Sequence, residues 1–469
     1  MYKKIQKLHF VGIGGIGMSG IAEVLLNMGY LISGSDLGLN ATIERLKVLG
    51  AEIHQGHDPE RVEGVDAVVY SAAIARDNPE IQAARRLRIP VVPRAEMLAE
   101  LMRLKYSIAI AGTHGKTTTT SIIATLLEQA RMDPTVVNGG IVKALGSNAR
   151  LGRGDFLVTE ADESDGSFLK LSPTIAVITN IDPEHMEHYG NFAAVRRAFR
   201  GFAEKVPFYG AAVLCRDHPE VAALGRLLGD KRVITYGLQP GADYQAVDVR
   251  QDGLRVCFNV LHTDPGGEEI RDLGEVSITL PGHHNVANTL AAIAVARELE
   301  IAWEEIGTAL SGFEGVQRRF DLLLDTRERV VIDDYAHHPT EIRATLAATR
   351  GGFGRERRLV AVFQPHRYSR VSDLLDDFCA SFGEADLVLV DKIYPAGEQP
   401  TAELMGSRGQ ARLVEGIQEQ SRTQAMALPN GPKWQQKLDA LAEPGDVMAF
   451  LGAGDITHRA RAFGAASKS

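Results

Sequence analysis

The stretch 107–121 combines residue types and a spacing that suit phosphate chemistry. An apolar run ends at Gly112, a short turn follows, and 118–129 has the composition of a helix. Glycines in such a turn let backbone N–H groups approach a phosphate, and the helix N-terminus adds partial positive charge. The stretch therefore predicts a strand, a glycine turn and a helix that together cradle the phosphates of a nucleotide.

Two side chains of this turn carry the expected chemistry. Lys116 would reach the β- and γ-phosphates, and the hydroxyl of Thr117 would take a Mg²⁺ ligand position. The common motif has a further glycine at the position of Ile110, so this loop is a shortened relative that is anchored by Gly112. A Gly-Lys-Thr tripeptide also occurs in ordinary turns, but the strand before it and the run of threonines after it favour phosphate binding.

A second glycine-rich turn, Gly12-Ile-Gly-Gly-Ile-Gly17, follows a short apolar strand and precedes a predicted helix. Its G-x-G-x-x-G pattern is typical of a diphosphate site, and Asp36 stands where such folds hold a ribose hydroxyl. Ser71 also follows a strand and would line the same crevice. Because the pattern requires only a diphosphate, NAD and a UDP-sugar both fit. A turn needed only for strand–helix packing is the third interpretation.

Carboxylates cluster directly after the apolar strand 155–159, in the segment Glu160-Ala-Asp-Glu-Ser-Asp165. Oxygen ligands at this edge suit a hard cation, with Glu160 favoured because it follows the strand at once, and a solvated acidic turn is the alternative. His185 follows the next strand and would complete a magnesium shell. A zinc pair of His185 with His188 is disfavoured, since no third soft ligand lies nearby in the sequence.

Two amides and two arginines complete the candidate residues. Asn285 and Asn288 lie about one turn apart near the start of an apolar helix, where amides suit a nucleobase or its ribose. Helix capping is the alternative for both, and it is compatible with the nucleotide role. Arg367 and Arg370 lie three positions apart at the expected first turn of a helix, where they would clamp a carboxylate or a developing oxyanion. The alternative for this pair is exposed surface arginines.

Length and composition limit the class of protein. The chain has 469 residues, which corresponds to about three domains. A net charge of −9 without a basic run disfavours a general nucleic-acid binder but is compatible with an anionic substrate. Three distant cysteines, the lack of a signal-peptide pattern and the lack of a long apolar span predict a cytoplasmic protein that does not enter a membrane.

The elements that must position these residues alternate between apolar strands and helices, so the predicted fold class is α/β with three domains. The predicted domains are a Rossmann-like domain at 1–106, a central P-loop domain at 107–315 and a C-terminal Rossmann-like domain at 316–469. The stretch 231–275 is predicted as an antiparallel appendage, and 403–435 as irregular and solvent-facing. Polar residues follow the strands in each domain, which places the candidate residues at the carboxyl edges of three sheets.

Longer segments resemble signatures of the Mur ligase family of peptidoglycan synthesis, and the resemblance covers the whole chain. They are Ala-Gly-Thr-His-Gly-Lys-Thr-Thr-Thr-Thr at 111–120, Glu-Ala-Asp-Glu-Ser-Asp at 160–165, Asn-Ile-Asp-Pro-Glu-His at 180–185, Gly-His-His-Asn-Val-Ala-Asn at 282–288 and Asp-Asp-Tyr-Ala-His-His-Pro-Thr-Glu at 333–341. Within the family, Phe-Gln-Pro-His-Arg-Tyr-Ser-Arg at 363–370 and Gly-Ile-Gly-Gly-Ile-Gly-Met-Ser at 12–19 look most like the members that use L-alanine. Ala336 departs from those members, many of which have glycine there.

The resemblance implies that ATP and Mg²⁺ drive the joining of L-alanine to UDP-N-acetylmuramate. The implied route phosphorylates the lactyl carboxylate, so that the amine attacks an acyl phosphate. The nearest alternative in the family joins a whole murein tripeptide to the same sugar nucleotide, and its members are expected to lack the 363–370 pattern. The third domain is expected to close over the middle one during turnover, and the protein is expected to be a monomer or a homodimer.

The resemblance also implies roles for the candidate residues. Those implied to bind ATP are Gly112, Thr113, His114, Gly115, Lys116, Thr117, Thr118, Asn285, Asn288 and Arg319. Those implied to bind the UDP-sugar are Gly14, Gly15, Ile16, Gly17, Asp36 and Ser71. Those implied to bind the amino acid are Tyr335, His366, Arg367 and Arg370. The implied metal ligands are Thr117, Glu160 and His185, and the implied catalytic residues are Lys116, His185, Arg367 and Arg370.

Two function classes outside the family remain as alternatives. An NAD-dependent oxidoreductase would use the turn at 12–17 but would leave the Lys116 turn without a task. A nucleotide-gated binding module would use the Lys116 turn without forming any bond. Titration with a nicotinamide cofactor separates the first alternative, and phosphate release that needs both a sugar nucleotide and an amino acid excludes the second.

Overall fold

The protein is described by a computed structural model that covers residues 5–71, 73–75, 77–264, 266–429, 431 and 433–466. The strands form three sheets, each flanked by helices, which confirms the predicted three-domain α/β fold class. The predicted domain boundaries at 106/107 and 315/316 stay predictions. None of the helices in these ranges is long and apolar enough to cross a membrane.

The N-terminal sheet has five strands in the order β3-β2-β1-β4-β5, and all four neighbouring pairs are parallel. Its elements are β1 (Lys7–Val11), α1 (Ile16–Asn27), β2 (Leu31–Asp36), α2 (Ala41–Val48), β3 (Glu52–Gln55), β4 (Ala67–Tyr70), α3 (Pro79–Arg86), β5 (Val91–Pro93) and α4 (Arg94–Met102). The chain order reverses between β1 and β4. In such sheets the crevice beyond the carboxyl ends of the two strands at this reversal is the usual ligand position.

The central sheet has ten strands in the order β15-β14-β13-β12-β11-β10-β6-β9-β7-β8. Its elements are β6 (Tyr106–Ala111), α5 (Lys116–Gln129), β7 (Thr135–Val142), β8 (Ser147–Arg150), β9 (Phe156–Glu160), β10 (Ile175–Ile178), α6 (Met186–Tyr189), α7 (Phe192–Ala203), β11 (Ala211–Cys215), α8 (Pro219–Gly225), β12 (Val233–Gly237), β13 (Tyr244–Asp252), β14 (Arg255–Thr263), β15 (Ile270–Ile278), α9 (His283–Glu298) and α10 (Trp303–Ser311). The buried strand β6 lies between β10 and β9 and is parallel to both. The segments that follow these three strands therefore meet at one edge.

The C-terminal sheet has six strands in the order β16-β17-β21-β18-β19-β20, with only β16 antiparallel to its neighbour. Its elements are β16 (Asp321–Asp325), β17 (Arg329–Asp334), α11 (Pro339–Phe353), β18 (Leu359–Phe363), α12 (Tyr368–Asp373), α13 (Leu375–Cys379), β19 (Leu387–Val390), α14 (Arg408–Gln420), β20 (Gln424–Ala427), α15 (Lys433–Leu441), β21 (Asp446–Leu451) and α16 (Ile456–Ala466). Each face of the sheet carries its own apolar cluster, because successive strand residues point to opposite sides.

The described residues form two compact units. The first unit comprises those within Met1–Asp248, Phe258–Val276 and Ala287–Glu314, and the second comprises those within Val249–Cys257, Ser277–Val286 and Gly315–Ser469. The N-terminal sheet and the phosphate loop thus belong to one unit. The C-terminal sheet belongs to the other.

Two expectations for the connecting stretches need correction. The stretch 403–435 is not irregular, because it contains α14, which buries Gln410, Leu413 and Ile417, and the strand β20. In the stretch 231–275, β12 and β13 pair in parallel, so this part of the predicted appendage extends the central sheet. The two-residue connection between β13 and β14 requires the antiparallel pairing that was expected there.

Candidate active site

The glycines of the phosphate loop, residues 112–116, adopt backbone angles that side chains oppose. Gly112 has φ 137° and Gly115 has φ 84°, in the region that only glycine enters freely. A Cβ atom on Gly112 would lie 2.0 Å from the Thr179 hydroxyl. Gly115 precedes α5 and gives it no side-chain cap, so the N-terminus of this helix offers backbone N–H groups to an anion.

The segment after β10 fixes the shape of this loop. The backbone N–H of His114 donates to Asn180 Oδ1 at 2.7 Å, and that of Thr113 donates to the Asn180 carbonyl at 3.2 Å. The Thr179 hydroxyl donates to the His114 carbonyl at 2.6 Å. Residues at the end of the neighbouring strand thus hold the loop in place.

Lys116 is the cation of the loop. Its Nζ donates to the Gly112 carbonyl at 2.5 Å and to Glu163 Oε1 at 3.0 Å. Burial opposes the charge on Lys116, but the carboxylates of Glu163 and Asp162 outweigh burial and raise the pKa of the ammonium. Lys116 is therefore a fixed positive charge beneath the helix N-terminus.

Three ligand atoms suited to a cation converge beside Lys116. Glu163, Glu184 and His185 each place one such atom within 4.8 Å of the others. Two carboxylates and one imidazole suit Mg²⁺ or Mn²⁺, so the residues present fit a divalent cation. Glu163 is buried, with a side chain 5% exposed. The αL conformation of His185, with φ 57°, turns its ring toward both carboxylates.

The predicted metal ligands are only partly brought together. His185 lies in the cluster, whereas the predicted Glu160 accepts a hydrogen bond from the Gly139 N–H at 3.0 Å. Glu160 still lies close enough to contribute to the raised pKa of Lys116. Thr117 and Thr118 are buried in the first turn of α5. The sequence favoured Glu160 as the first residue after its strand. The fold of the following turn instead directs Glu163 toward Lys116.

Of the two candidate amides, Asn288 lies against the phosphate loop. Its Oδ1 accepts from the Thr119 hydroxyl at 3.2 Å and would lie 2.5 Å from a Cβ on Gly115. Asn285 belongs to the second unit and donates to the Pro281 carbonyl at 2.8 Å. This bond joins the third residue of α9 to a carbonyl before the helix and is not a helix cap, because a capping side chain accepts from a backbone N–H. The nucleotide role of Asn285 stays a prediction.

The N-terminal glycine turn, residues 12–17, buries Ile13 and Gly14 at the end of β1 and exposes its last part, next to the helix start. Gly14 N–H donates to Asp36 Oδ2 at 2.9 Å, and Asp36 also accepts from Gly38 N–H at 3.1 Å. Gly15 and Ile16 are exposed, and α1 begins there without a side-chain cap. Asp36 thus shapes the turn. The uncapped start of α1 is where an anion site was predicted, and this stays a prediction.

Ser71 follows β4 at the same carboxyl edge. Its hydroxyl accepts from the Ala73 N–H at 3.2 Å, which closes a local turn after the strand. Because the chain order reverses between β1 and β4, this turn lies beside the crevice that the chain order predicts.

Arg94, which the sequence analysis missed, covers the N-terminal glycine turn. Its Nη1 would lie 2.3 Å from a Cβ on Gly17, and its Nη2 pairs with Asp162 Oδ2 at 3.0 Å. Burial opposes the Asp162 charge, but Arg94 and Lys116 outweigh it and lower the pKa of that carboxyl. Arg94 follows β5 directly, so the strand-end rule that found the other candidates applies to it as well.

In the second unit, Tyr335 carries two guanidinium groups on its ring. The carbon centres of Arg318 and Arg319 lie 4.7 Å and 4.9 Å from the ring centroid. Arg319 is also 3.9 Å from Glu341. The Tyr335 ring then meets the His337 ring at 5.1 Å, which continues a row of aromatic side chains.

His366, Arg367 and Arg370 lie together beyond β18. The His366 ring stacks on Tyr394 with centroids 5.5 Å apart, and its Nδ1 is 3.5 Å from Arg370 Nη1. Burial and the neighbouring positive charges lower the pKa of His366 to about 3, so this imidazole is neutral. The second unit thus brings Tyr335, His366, Arg367 and Arg370 into one neighbourhood with His337 and Tyr394. The amino-acid-binding role that the resemblance implies for these residues stays a prediction.

Family models match almost the whole chain. The model described as Mur ligase family, catalytic domain, matches residues 7–106; that of the Mur ligase middle domain matches 110–296; and that of the Mur ligase, glutamate ligase domain, matches 318–454.

Curated proteins and solved structures are similar to this chain over nearly its whole length. A UDP-N-acetylmuramate–L-alanine ligase of Magnetococcus marinus is 64% identical over 99% of this chain and 98% of its own. The crystal structure of a UDP-N-acetylmuramate–alanine ligase from Thermotoga maritima has a TM-score of 0.82 at 30% identity, covering 98% of this chain and 99% of its own. A murein peptide ligase from Psychrobacter arcticus has a TM-score of 0.72 at 24% identity and covers 98% of each chain, a likeness of fold alone.

Proposed function

The chain belongs to the Mur ligase family, and from this premise we propose that it is an ATP-dependent ligase that joins L-alanine to UDP-N-acetylmuramate. The observation that carries the proposal is the 64% identity, over nearly the full length of both chains, to a UDP-N-acetylmuramate–L-alanine ligase. The tripeptide-adding alternative has weaker support, because the murein peptide ligase structure is only 24% identical. The product is a precursor of peptidoglycan.

The chemistry requires that the sugar-nucleotide carboxylate be activated, because an oxide is too poor a leaving group for direct attack by an amine. In the proposed route a carboxylate oxygen attacks the γ-phosphorus of ATP, the bond to ADP breaks and an acyl phosphate forms. The amine of alanine, after losing a proton, attacks the acyl carbon, and phosphate leaves. The protein's main tasks are positioning and charge stabilisation, as in other phosphoryl transfers.

The first unit supplies the nucleotide-binding residues of the proposal. The loop from Gly112 to Thr118 binds the phosphates of ATP through backbone N–H groups, with Lys116 at the transferring phosphoryl group. Asn288 lies against this loop and takes part in nucleotide binding. The N-terminal glycine turn binds the diphosphate of UDP-N-acetylmuramate, and we add Arg94 to the residues proposed from the sequence.

We propose that Glu163, Glu184 and His185 hold Mg²⁺, with Thr117 and Glu160 as the further ligands that the family resemblance implies. The ion supplies positive charge to the phosphate oxygens when it is bound. The support is the convergence of three ligand atoms next to Lys116.

The second unit supplies the residues proposed for the amino acid. Arg367 and Arg370 receive the carboxylate of alanine, and the neutral His366 and Tyr335 line its position. Arg319 stays a proposed contact for the phosphates of ATP. Asn285, near the start of α9, stays a proposed contact for the nucleotide. We place the reaction in the cytoplasm, which suits the free thiols of all three cysteines.

The test is release of inorganic phosphate by the purified protein with ATP and Mg²⁺. The proposal expects release only when UDP-N-acetylmuramate and L-alanine are both present. Phosphate release that does not require the amino acid would contradict it. Release with the murein tripeptide at a higher rate than with alanine would favour the alternative.

A further inference from the structure

Arg367 has a backbone conformation that its surroundings must enforce. Its φ is 69° and its ψ is 131°, a combination that residues with a Cβ rarely adopt. Such a conformation persists only where the neighbouring structure determines it, and it is often found at binding sites. The contacts that fix this conformation of Arg367 therefore bear on its role in binding.

The segment after β19, residues 391–398, supplies the main-chain part of this support. Arg367 N–H donates to the Tyr394 carbonyl at 2.8 Å, and Tyr394 N–H donates to the Pro365 carbonyl at 2.8 Å. These two bonds frame His366, whose ring stacks on Tyr394 at an interplanar angle of 8°. The segment thus fixes the turn that presents His366 and Arg367.

Glu398, at the end of that segment, supplies the side-chain part. Its Oε1 accepts from Arg367 Nε at 2.7 Å and from the Ser369 hydroxyl at 2.7 Å. Its Oε2 accepts from the Ser369 N–H, at the start of α12, at 3.0 Å. Burial opposes the charge on Glu398, but the bonds from Ser369 and Arg367 outweigh burial and lower the pKa of the carboxyl. Both oxygens of one charged group therefore bind Arg367 and the helix that follows it.

On the premise of the proposed function, we propose that Glu398 is a positioning residue for the amino-acid acceptor. It holds the Arg367 guanidinium by its Nε edge in the orientation in which this group receives the acceptor's carboxylate. Glu398 itself touches neither the nucleotide nor the amino acid. Loss of Glu398 should therefore weaken the binding only of acceptors that carry the carboxylate. The loss should be the same for every α-amino acid that serves as acceptor.

The test is the steady-state kinetics of Glu398→Gln, which keeps the size of the side chain and removes its charge. Loss of a charge-assisted pair of this kind changes an affinity by about tenfold, so the KM for L-alanine should rise by about tenfold. The kcat and the KM values for ATP and UDP-N-acetylmuramate should stay within about twofold. The matched control is Glu403→Gln, an exposed glutamate paired with Arg412, which should leave all four values unchanged.

L-Alaninamide, which lacks the carboxylate, separates positioning from general damage. Its kcat/KM should be the same for the parent and for Glu398→Gln, while that of L-alanine falls. In an Arg367→Lys background, which has no Nε edge, Glu398→Gln should cause little further loss. An unchanged or lower KM for L-alanine, or an equal loss with L-alaninamide, would overturn the inference. If the parent protein itself shows no alanine-dependent phosphate release, the proposed function fails instead.

Discussion

Two glycine turns of the molecule each lead from a parallel strand into a helix, and their surroundings differ in charge. The glycine before the helix is extended in the first turn (Gly15, φ −67°) and left-handed in the second (Gly115, φ 84°). The N-terminal glycine turn (12–17) and the phosphate loop (112–116) each connect a buried parallel strand to a helix that begins without a side-chain cap. The first has Arg94 as its nearby cation and uses the Asp36 carboxylate to shape its backbone. The second has Lys116 within the loop and two buried or half-buried carboxylates around it.

The glycine pattern alone predicts an anion site in each turn but does not distinguish which anion binds there, and both sites stay predictions. The neighbouring strand ends supply the difference, because the segment after β9 brings Glu163 and the segment after β10 brings Glu184 and His185. A diphosphate that only has to be held needs backbone N–H groups and one arginine. A phosphoryl group that has to be transferred needs a buried cation and metal ligands as well.

The largest effect should come from removing the cation that only the phosphate loop has. Lys116→Ala should reduce turnover by about 1,000-fold, because the charge on the transferring phosphoryl group loses its fixed partner. Binding of UDP-N-acetylmuramate, measured by calorimetry, should be unchanged. Lys47→Ala, at an exposed pair with Glu44, is the control and should keep full activity. Residual activity above a tenth of the parent's would contradict the role of Lys116.

An added methyl group should destabilise the phosphate loop more than the N-terminal glycine turn. Gly112→Ala places its Cβ 2.0 Å from Thr179 Oγ1 at a positive φ, and strain with overpacking should cost about 3 kcal/mol of unfolding free energy. Gly15→Ala meets only the Gly12 carbonyl, at 3.6 Å, and should cost no more than about 1 kcal/mol. Urea unfolding of both variants checks this. Equal stability of the two would show that the turns are under the same constraint.

Removing Mg²⁺ should weaken binding at the phosphate loop but not at the N-terminal glycine turn. A non-hydrolysable ATP analogue should bind at least about tenfold more weakly in EDTA, because the Mg²⁺ that Glu163, Glu184 and His185 would hold supplies positive charge to the phosphates. UDP-N-acetylmuramate should bind within about twofold of its affinity in Mg²⁺. A matching loss at both sites would mean that the cation is not specific to the phosphate loop.

The smallest effect should come from the arginine over the N-terminal glycine turn. Arg94→Ala should raise the KM for UDP-N-acetylmuramate by about tenfold and leave that for ATP within about threefold, since one charge-assisted contact is lost. Arg103→Ala, at the exposed end of α4 beside Glu100, is the matched control. A larger change in the KM for ATP than in that for the sugar nucleotide would place Arg94 in the other site.

The sequence was most informative where the backbone itself makes the site. The strand, glycine turn and helix around Lys116 were predicted because glycine spacing and β-branched runs report local conformation directly. Arg367 and Arg370 were proposed as a carboxylate clamp because they lie three positions apart just after a strand, which is also a local pattern. The fold class followed from the alternation of strands and helices, a signal of the same kind.

Where the position of a side chain depends on the conformation of a turn or on a distant contact, its neighbours could not be predicted from the sequence. Glu160 was favoured over Glu163 because it is nearer to its strand, whereas the turn after β9 decides which carboxylate meets Lys116. Arg94 and Glu398 depend on contacts with residues 68 and 31 positions away, which no local pattern contains.

The helix α14 was missed for a different reason. Its polar composition hid the buried Gln410, Leu413 and Ile417, whose spacing is helical.

One measurement tests the central claim most directly: phosphate release with ATP, Mg²⁺, UDP-N-acetylmuramate and either L-alanine or the murein tripeptide, with each component omitted in turn. The account predicts release only in the complete mixture with L-alanine, and a rate with the tripeptide below about a hundredth of that. Release that persists without the sugar nucleotide or without an amino acid, or that is faster with the tripeptide, would contradict it.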